Sequence, residues 1–228
     1  MNRSFPNIAA VLAVLTVALV LFAATATRGA SLPLSEPAAA PVIDATPTSP
    51  AEDTAVFAGG CFWGIEAVFE HVKGVKSAVS GYAGGTVGNP SYEQVSTGDT
   101  GHAESVQVIY DPSQVSYGKL LQIFFSVAHD PTQLNRQGPD HGTQYRSAIF
   151  YNTPQQQHVA ESYIKQLTAA KTFSRPIVTQ VAKLRAFFPA EAYHQDYLVH
   201  HPNQLYIVIN DQPKVAALKK QFPDIYRN

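Results

Sequence analysis

The sequence predicts an α+β fold, a two-layer sandwich in which helices cover a mixed central sheet. Three observations support this. Segments with period-two apolar alternation take turns with segments of helical apolar spacing, so strands and helices alternate along the chain. Two strands follow one another before the second helix, which favours a mixed sheet over a parallel, doubly wound one. Hydrophobic residues make up 45% of the chain and charged residues 14%, which is apolar enough for a buried core.

The elements follow in order. Thr54–Ala58 is short and apolar, and runs as a strand into Gly59-Gly60. Phe62, Ile65, Phe69 and Val72 then mark one helical face, so Cys61 lies at the start of a helix. Ser77–Tyr82 reads as a second strand, and Gly84–Gly101 as a long loop rich in Gly, Ser, Thr and Asn. Val106, Val108 and Tyr110 alternate along a third strand that Asp111-Pro112 ends. Leu120, Leu121, Phe124, Phe125 and Ala128 share a helix face, and Asp130–Thr143 is a loop. Ala148–Tyr151 is a strand. Thr153-Pro154-Gln155-Gln156 then starts a helix, with Thr as N-cap, Pro at N1 and Gln at N3. Ile177–Lys183 and Leu205–Ile209 read as further strands.

The N-terminal part reads differently. An apolar run, Ile8–Ala24, follows Arg3 and leads to Ala24-Thr25-Ala26, the pattern of an export signal. A membrane anchor is the alternative, because the run is nearly long enough to span. Residues 1–30 are therefore expected to export the chain to a periplasmic or other extracytoplasmic space, with membrane contact only if they are retained. Residues 31–53 carry five prolines among Ala, Ser and Thr and read as a linker without a core. That leaves 54–228 as the catalytic or binding domain, expected as a monomer. Lys and Arg number 16 and Asp and Glu 17, with no polybasic run, so nothing points to nucleic acid.

The chain contains one cysteine, Cys61. It supplies no intramolecular disulfide, Cys-rich zinc site or CxxC pair. A helix N-terminus offers unpaired N–H groups, so the thiol pKa is expected to fall. Gly59, Gly60 and Gly64 clear space around the sulfur, and Phe62 and Trp63 place two rings beside it. Glu104 stands at a strand mouth, where apolar rings would raise its pKa into the range of a proton donor. Tyr82 and Tyr145 follow glycine-containing segments and are candidate phenol donors. A Cys–His hydrolase built on His102 or His141 with Asp140 is a second reading, and a non-catalytic binding module is a third. His194, His200 and His201 match no standard metal-ligand spacing, so no metal is expected.

Several separated motifs add a resemblance. They are GCFWG (Gly60–Gly64), GYAGG (Gly81–Gly85), Gly101-His102-Ala103-Glu104, DPTQLNRQGPDHGTQYRSAI (Asp130–Ile149), EAYHQDYL (Glu191–Leu198) and HPNQLYIVIN (His201–Asn210). In these the chain resembles the A-type peptide methionine sulfoxide reductases. The resemblance implies a ferredoxin-like α/β plait and reduction of methionine S-sulfoxide, free or in oxidised proteins. It implies Cys61 as nucleophile, Glu104 as proton donor, and Tyr82 and Tyr145 as hydroxyls polarising the sulfoxide oxygen. Phe62 and Trp63 would hold the substrate methyl group. Asp140 would organise the site, with His194 and Tyr197 at its border. No bound cofactor is implied. Many relatives carry further cysteines that resolve the sulfenic acid as a disulfide. With Cys61 alone, an external thiol donor of thioredoxin, glutaredoxin or small-thiol type is expected.

Overall fold

Strand β1 (Asp53–Gly59) lies at the centre of a six-stranded sheet. The computed structural model describes residues 33–45 and 52–228, so the apolar leader lies outside the described residues. Helix α1 (Phe62–Glu70) follows β1, and β2 (Val75–Ala83) and β3 (Ala103–Tyr110) come next. Helix α3 (Tyr117–Ile123), extended by a π-helical turn at Phe124–Ala128, leads through a short antiparallel pair, β4 (Arg136–Gln137) and β5 (Asp140–His141), to β6 (Ser147–Tyr151). Strands β1, β2, β3 and β6 thus form a βαββαβ unit with spatial order 6-1-3-2, all neighbours antiparallel. This is the ferredoxin-like plait. Helix α4 (Pro154–Ala169) then leads to β7 (Gln180–Lys183), which pairs parallel to β6 and makes the sheet mixed. Strand β8 (Phe187–Pro189) closes the far edge against β2.

The period of two in each strand sorts side chains between the two faces. Ala55, Phe57, Val106, Val108, Tyr110 and Ile149 face the helices and join the main core with Ile65, Phe69, Leu121 and Phe124. Val56, Ala58, Ala83, Ala103, Ala148 and Phe150 form a smaller cluster on the opposite face. Glu104 has the same parity as Val106 and Val108, so it projects toward the helix layer at the mouth of β3. A register slip of one residue would turn it away from that layer.

Four expectations need correction. Leu205–Ile209 is not a strand. After the single-turn helix α5 (Tyr197–His200), helical turns begin at Leu205, become a π-turn at Ile207–Asp211 and continue as α6 (Gln212–Gln221). Asn210 donates to the Tyr206 carbonyl, an i,i+4 contact, and a short apolar run does not by itself separate helix from strand. The Gly84–Gly101 loop contains helix α2 (Tyr92–Ser96), where Ser91 and Gln94 form a reciprocal capping box. The ladder within Ile177–Lys183 is confined to Gln180–Lys183, because Val178 donates to the Pro131 carbonyl instead.

The Pro-rich segment is not a coreless linker where it is described. Ala38 is buried. Residues 34–44 lie across α3 and α4 as a strap. An extended, Pro-rich backbone has no internal hydrogen bonds, so side chains of the helices supply them. Gln122 donates to the Ala38 carbonyl at 2.6 Å, and Tyr163 to that of Ala39 at 2.7 Å. Asp44 accepts from the Gly118 N–H at 2.7 Å and from the Ser116 hydroxyl at 2.5 Å.

Candidate active site

Strand β1 delivers Cys61 to the N-terminus of α1, where it occupies the N-cap position. Gly60 makes the turn with φ +104°, and the Gln137 side chain occupies the space a Cβ there would need. Gly64 has a similar role one turn on. Asp211 Oδ1 would stand 2.1 Å from a Cβ at that position, so the glycine lets α6 approach the thiol. Cys61 is buried, and shares a narrow cleft with Gln137, Gly138, Pro139, Asp140, Tyr206, Asn210 and Lys214.

The thiol pKa moves opposite to the sequence expectation. Burial pushes it well above the ordinary value, and the carboxyls of Glu104, Asp211 and Asp140 push it the same way. The Trp63 backbone N–H lowers it, but one helix-terminal donor does not outweigh desolvation and three acidic neighbours. Glu104 is likewise buried and accepts a hydrogen bond from the Phe62 N–H at 3.1 Å. Burial raises its carboxyl to about 8, despite that bond, with Asp140 and Asp211 adding to the rise. The site therefore holds a protonated thiol and a carboxyl that remains largely protonated at neutral pH.

The two predicted tyrosines are placed differently. Tyr145 ends a 3-10 turn (Thr143–Tyr145), and burial raises its phenol pKa, with Glu104, Tyr92, Asp140 and Cys61 pushing the same way. Tyr82 is fully buried, and its hydroxyl donates to Glu191 Oε2 at 2.9 Å. Glu191 Oε1 accepts from the Tyr92 backbone N–H at 2.8 Å. Burial raises the phenol pKa of Tyr92, which is absent from the sequence reading, and Glu104 and Cys61 push it the same way. Tyr92 and Tyr145 thus interact electrostatically with both Cys61 and Glu104, while Tyr82, which also feels Glu104, has its hydroxyl committed to Glu191 and buttresses Tyr92 through it. The readable signal for Tyr92 was the Ser91-Tyr92-Glu93-Gln94 capping box, which fixes its place on α2.

The aromatic wall is assembled from three segments. Phe62 is fully buried and packs on Tyr82, Trp63 and His194. Trp63 is half-buried and stacks on Tyr197 at 3.7 Å and 6°. Its indole N–H donates to His194 Nδ1 at 3.2 Å, so that nitrogen accepts, and burial lowers the His194 pKa. Tyr206 meets Trp63 edge-on at 6.0 Å and donates to Asp140 at 2.5 Å. Lys214 pairs with the buried Asp211 at 3.1 Å. Tyr206, Asn210, Asp211 and Lys214 escaped the sequence reading because Leu205–Ile209 was read as a strand. Both ring nitrogens of His102 are engaged by the loop backbone at Gly85 and Val87, which does not fit a base for Cys61. Among the described residues no group of three or more His, Cys, Asp or Glu is arranged to hold a metal ion. No described helix is long and apolar enough to cross a membrane.

The model for the peptide methionine sulfoxide reductase family matches residues 53–225. The chain belongs to that family. The peptide methionine sulfoxide reductase MsrA 2 of Mesorhizobium japonicum is 60% identical over 178 residues, 78% of this chain and 91% of its own. The MsrA 2 of a Synechocystis strain is 52% identical over 195 residues, 84% of this chain and 91% of its own. Among solved structures, reduced Mxr1 from Saccharomyces cerevisiae superimposes with a TM-score of 0.63 at 32% identity. That match covers 69% of this chain and 90% of the yeast chain. The reductase A of Corynebacterium diphtheriae gives a TM-score of 0.59 at 38% identity, covering 78% and 88%. The α+β fold expected of the reductase is therefore shared with solved members of its family.

Proposed function

We propose that this reductase converts methionine S-sulfoxide, free or within oxidised proteins, to methionine through a sulfenic acid on Cys61. The observation that carries the reading is the Phe62 N–H to Glu104 bond, which fixes a largely protonated carboxyl at the helix end that bears the buried thiol. A sulfoxide sulfur becomes a good electrophile once its oxygen is protonated.

The step balances within the site. Cys61 Sγ attacks the sulfoxide sulfur and the oxygen takes the Glu104 proton. The thiol proton then returns to Glu104. The substrate S–O bond and the new Sγ–S bond then break as the hydroxyl passes from the substrate sulfur to Sγ, which releases methionine and leaves Cys61 as sulfenic acid, the first rung of cysteine oxidation. Two electrons pass from Cys61 to the substrate. Tyr92 and Tyr145 donate to the oxygen as charge builds on it, and Trp63 with Phe62 receives the methyl group. Asp140 orients Tyr206 beside the thiol, and His194 and Tyr197 hold the indole from behind.

Regeneration uses an outside donor. A first thiol displaces water from the sulfenic acid to give a mixed disulfide. A second thiol releases Cys61 and leaves the donor as a disulfide. Cys61 is the single cysteine among the 228 residues, which supports this route over an internal relay. The sequence of residues 1–30 supports export, to be tested by mass spectrometry of the isolated protein's N-terminus.

The experiment for the activity is single turnover without reductant. One equivalent of methionine should form per enzyme, with Cys61 trapped by a dimedone-type probe, and Cys61→Ser should form none. Turnover of the R epimer, or product from Cys61→Ser, would overturn the reading.

A further inference from the structure

The turn that carries Tyr206 is amphipathic in an inverted sense. Leu205, Val208 and Ile209 fall at i, i+3 and i+4, and so share one face. They are 71%, 42% and 48% exposed. The opposite face holds the buried Ile207 and Asp211, and Tyr206 and Asn210 line the cleft around Cys61. All three side chains keep a large share of their surface in solvent. A soluble helix normally turns its apolar stripe inward, so an outward stripe beside a catalytic cleft indicates a contact yet to be made.

We infer that Leu205, Val208 and Ile209 form a docking shelf for the polypeptide that carries the sulfoxide, and that the shelf favours apolar residues next to the oxidised methionine. This rests on the reductase reading above and specifies its substrate.

Continuity with the site identifies the occupant. Tyr206 follows Leu205 directly, and its ring meets the edge of Trp63. A chain whose sulfoxide side chain enters between Trp63 and Cys61 has this stripe as its adjacent support. Two other occupants fit less well. Tyr193–Gln212 contains no Lys or Arg, so nothing there would hold an anionic lipid surface. Three partly exposed side chains also fall far short of the roughly 800 Å² per partner of a stable dimer interface. An extended peptide needs only a small apolar contact in addition to its anchored side chain.

The test uses the full chain with dithiothreitol as donor and three substrates: free methionine S-sulfoxide, a pentapeptide with Leu on both sides of the sulfoxide, and one with Ser on both sides. The expected kcat/KM for the Leu-flanked peptide exceeds that for the Ser-flanked one by about tenfold, expressed in KM. The triple variant Leu205→Ser/Val208→Ser/Ile209→Ser should erase that preference while turning over the free sulfoxide at the unaltered rate. Equal values for both peptides in the unaltered protein, or a preference that survives in the triple variant, would overturn the shelf. So would self-association, or binding to phosphatidylcholine–phosphatidylglycerol vesicles, that the triple variant abolishes. Failure of the unaltered protein to reduce the free sulfoxide would instead refute the reductase reading.

Discussion

The Phe62 backbone N–H donates to Glu104 Oε2 at 3.1 Å, joining the first turn of α1 to the mouth of β3 across 42 residues of sequence. Both residues lie at the start of their elements and at the same end of the sheet, because β1 and β3 pair antiparallel. This bond places the acid at the thiol, and burial then raises both groups.

The first prediction concerns pH. A donor must carry its proton, and Glu104 loses it as pH rises through about 8. Single-turnover reduction of methionine S-sulfoxide should therefore decline on the alkaline side, with a midpoint near that value. Glu104→Gln should lower the rate about 10²–10⁴-fold and remove that limb. A limb that persists in the variant would assign it to another group.

The second separates the tyrosines. Tyr92→Phe should lower kcat by roughly ten- to a hundredfold, as expected for loss of one donor to a developing oxyanion. Tyr82→Phe leaves Glu191 bound to the Tyr92 N–H, so it should lower kcat several-fold at most. Steady-state kinetics on both variants decides the matter, and the opposite ranking would make Tyr82 the direct donor.

The third concerns the buried pair beneath the thiol. Lys214 and Asp211 are 6% and 0% exposed at their side chains. Lys214→Met leaves Asp211 buried without its cation and should cost about 3–5 kcal/mol by denaturant unfolding. The double variant Lys214→Met/Asp211→Leu should recover part of that loss. Gly64→Ala should also destabilise, because the new methyl would collide with Asp211.

The fourth concerns stability and pH. Burial raises Glu66 to about 7 and Glu70 to about 8. Their folded-state pKa values exceed those of the unfolded chain, so the associated stability is complete below the ordinary carboxylate range. It is lost as pH rises through 7 to 8. Tm should fall between pH 5 and pH 9, and the slope should flatten in Glu66→Gln, which retains an acceptor for the Ser80 N–H. A Tm that rises over that interval would contradict the assignment.

Much of the plait was legible in the sequence. Alternation in Val106, Val108 and Tyr110 and the helical spacing of Phe62, Ile65 and Phe69 are local signals, and the core formed where they pointed. The Thr153 N-cap was also readable, because its partner, the Gln156 N–H, lies three residues away. Leu205–Ile209 was not, since a five-residue apolar run fits either period and its packing against α1 comes from a distant part of the chain.

The sequence by itself determined the chemistry available: one thiol at a helix start between glycines, a carboxyl at a strand mouth, and no second cysteine to resolve an intermediate. These are properties of residue type and local order. Only the tertiary structure decided which groups meet and with what charge. Glu191 engages the Tyr82 hydroxyl and the Tyr92 backbone together, so the Tyr82 hydroxyl is committed while the Tyr92 and Tyr145 phenols interact with Cys61 and Glu104. The thiol pKa rises because desolvation and the carboxyls of Glu104, Asp211 and Asp140 outweigh a single helix N–H, and those neighbours are assembled from three separate stretches of chain.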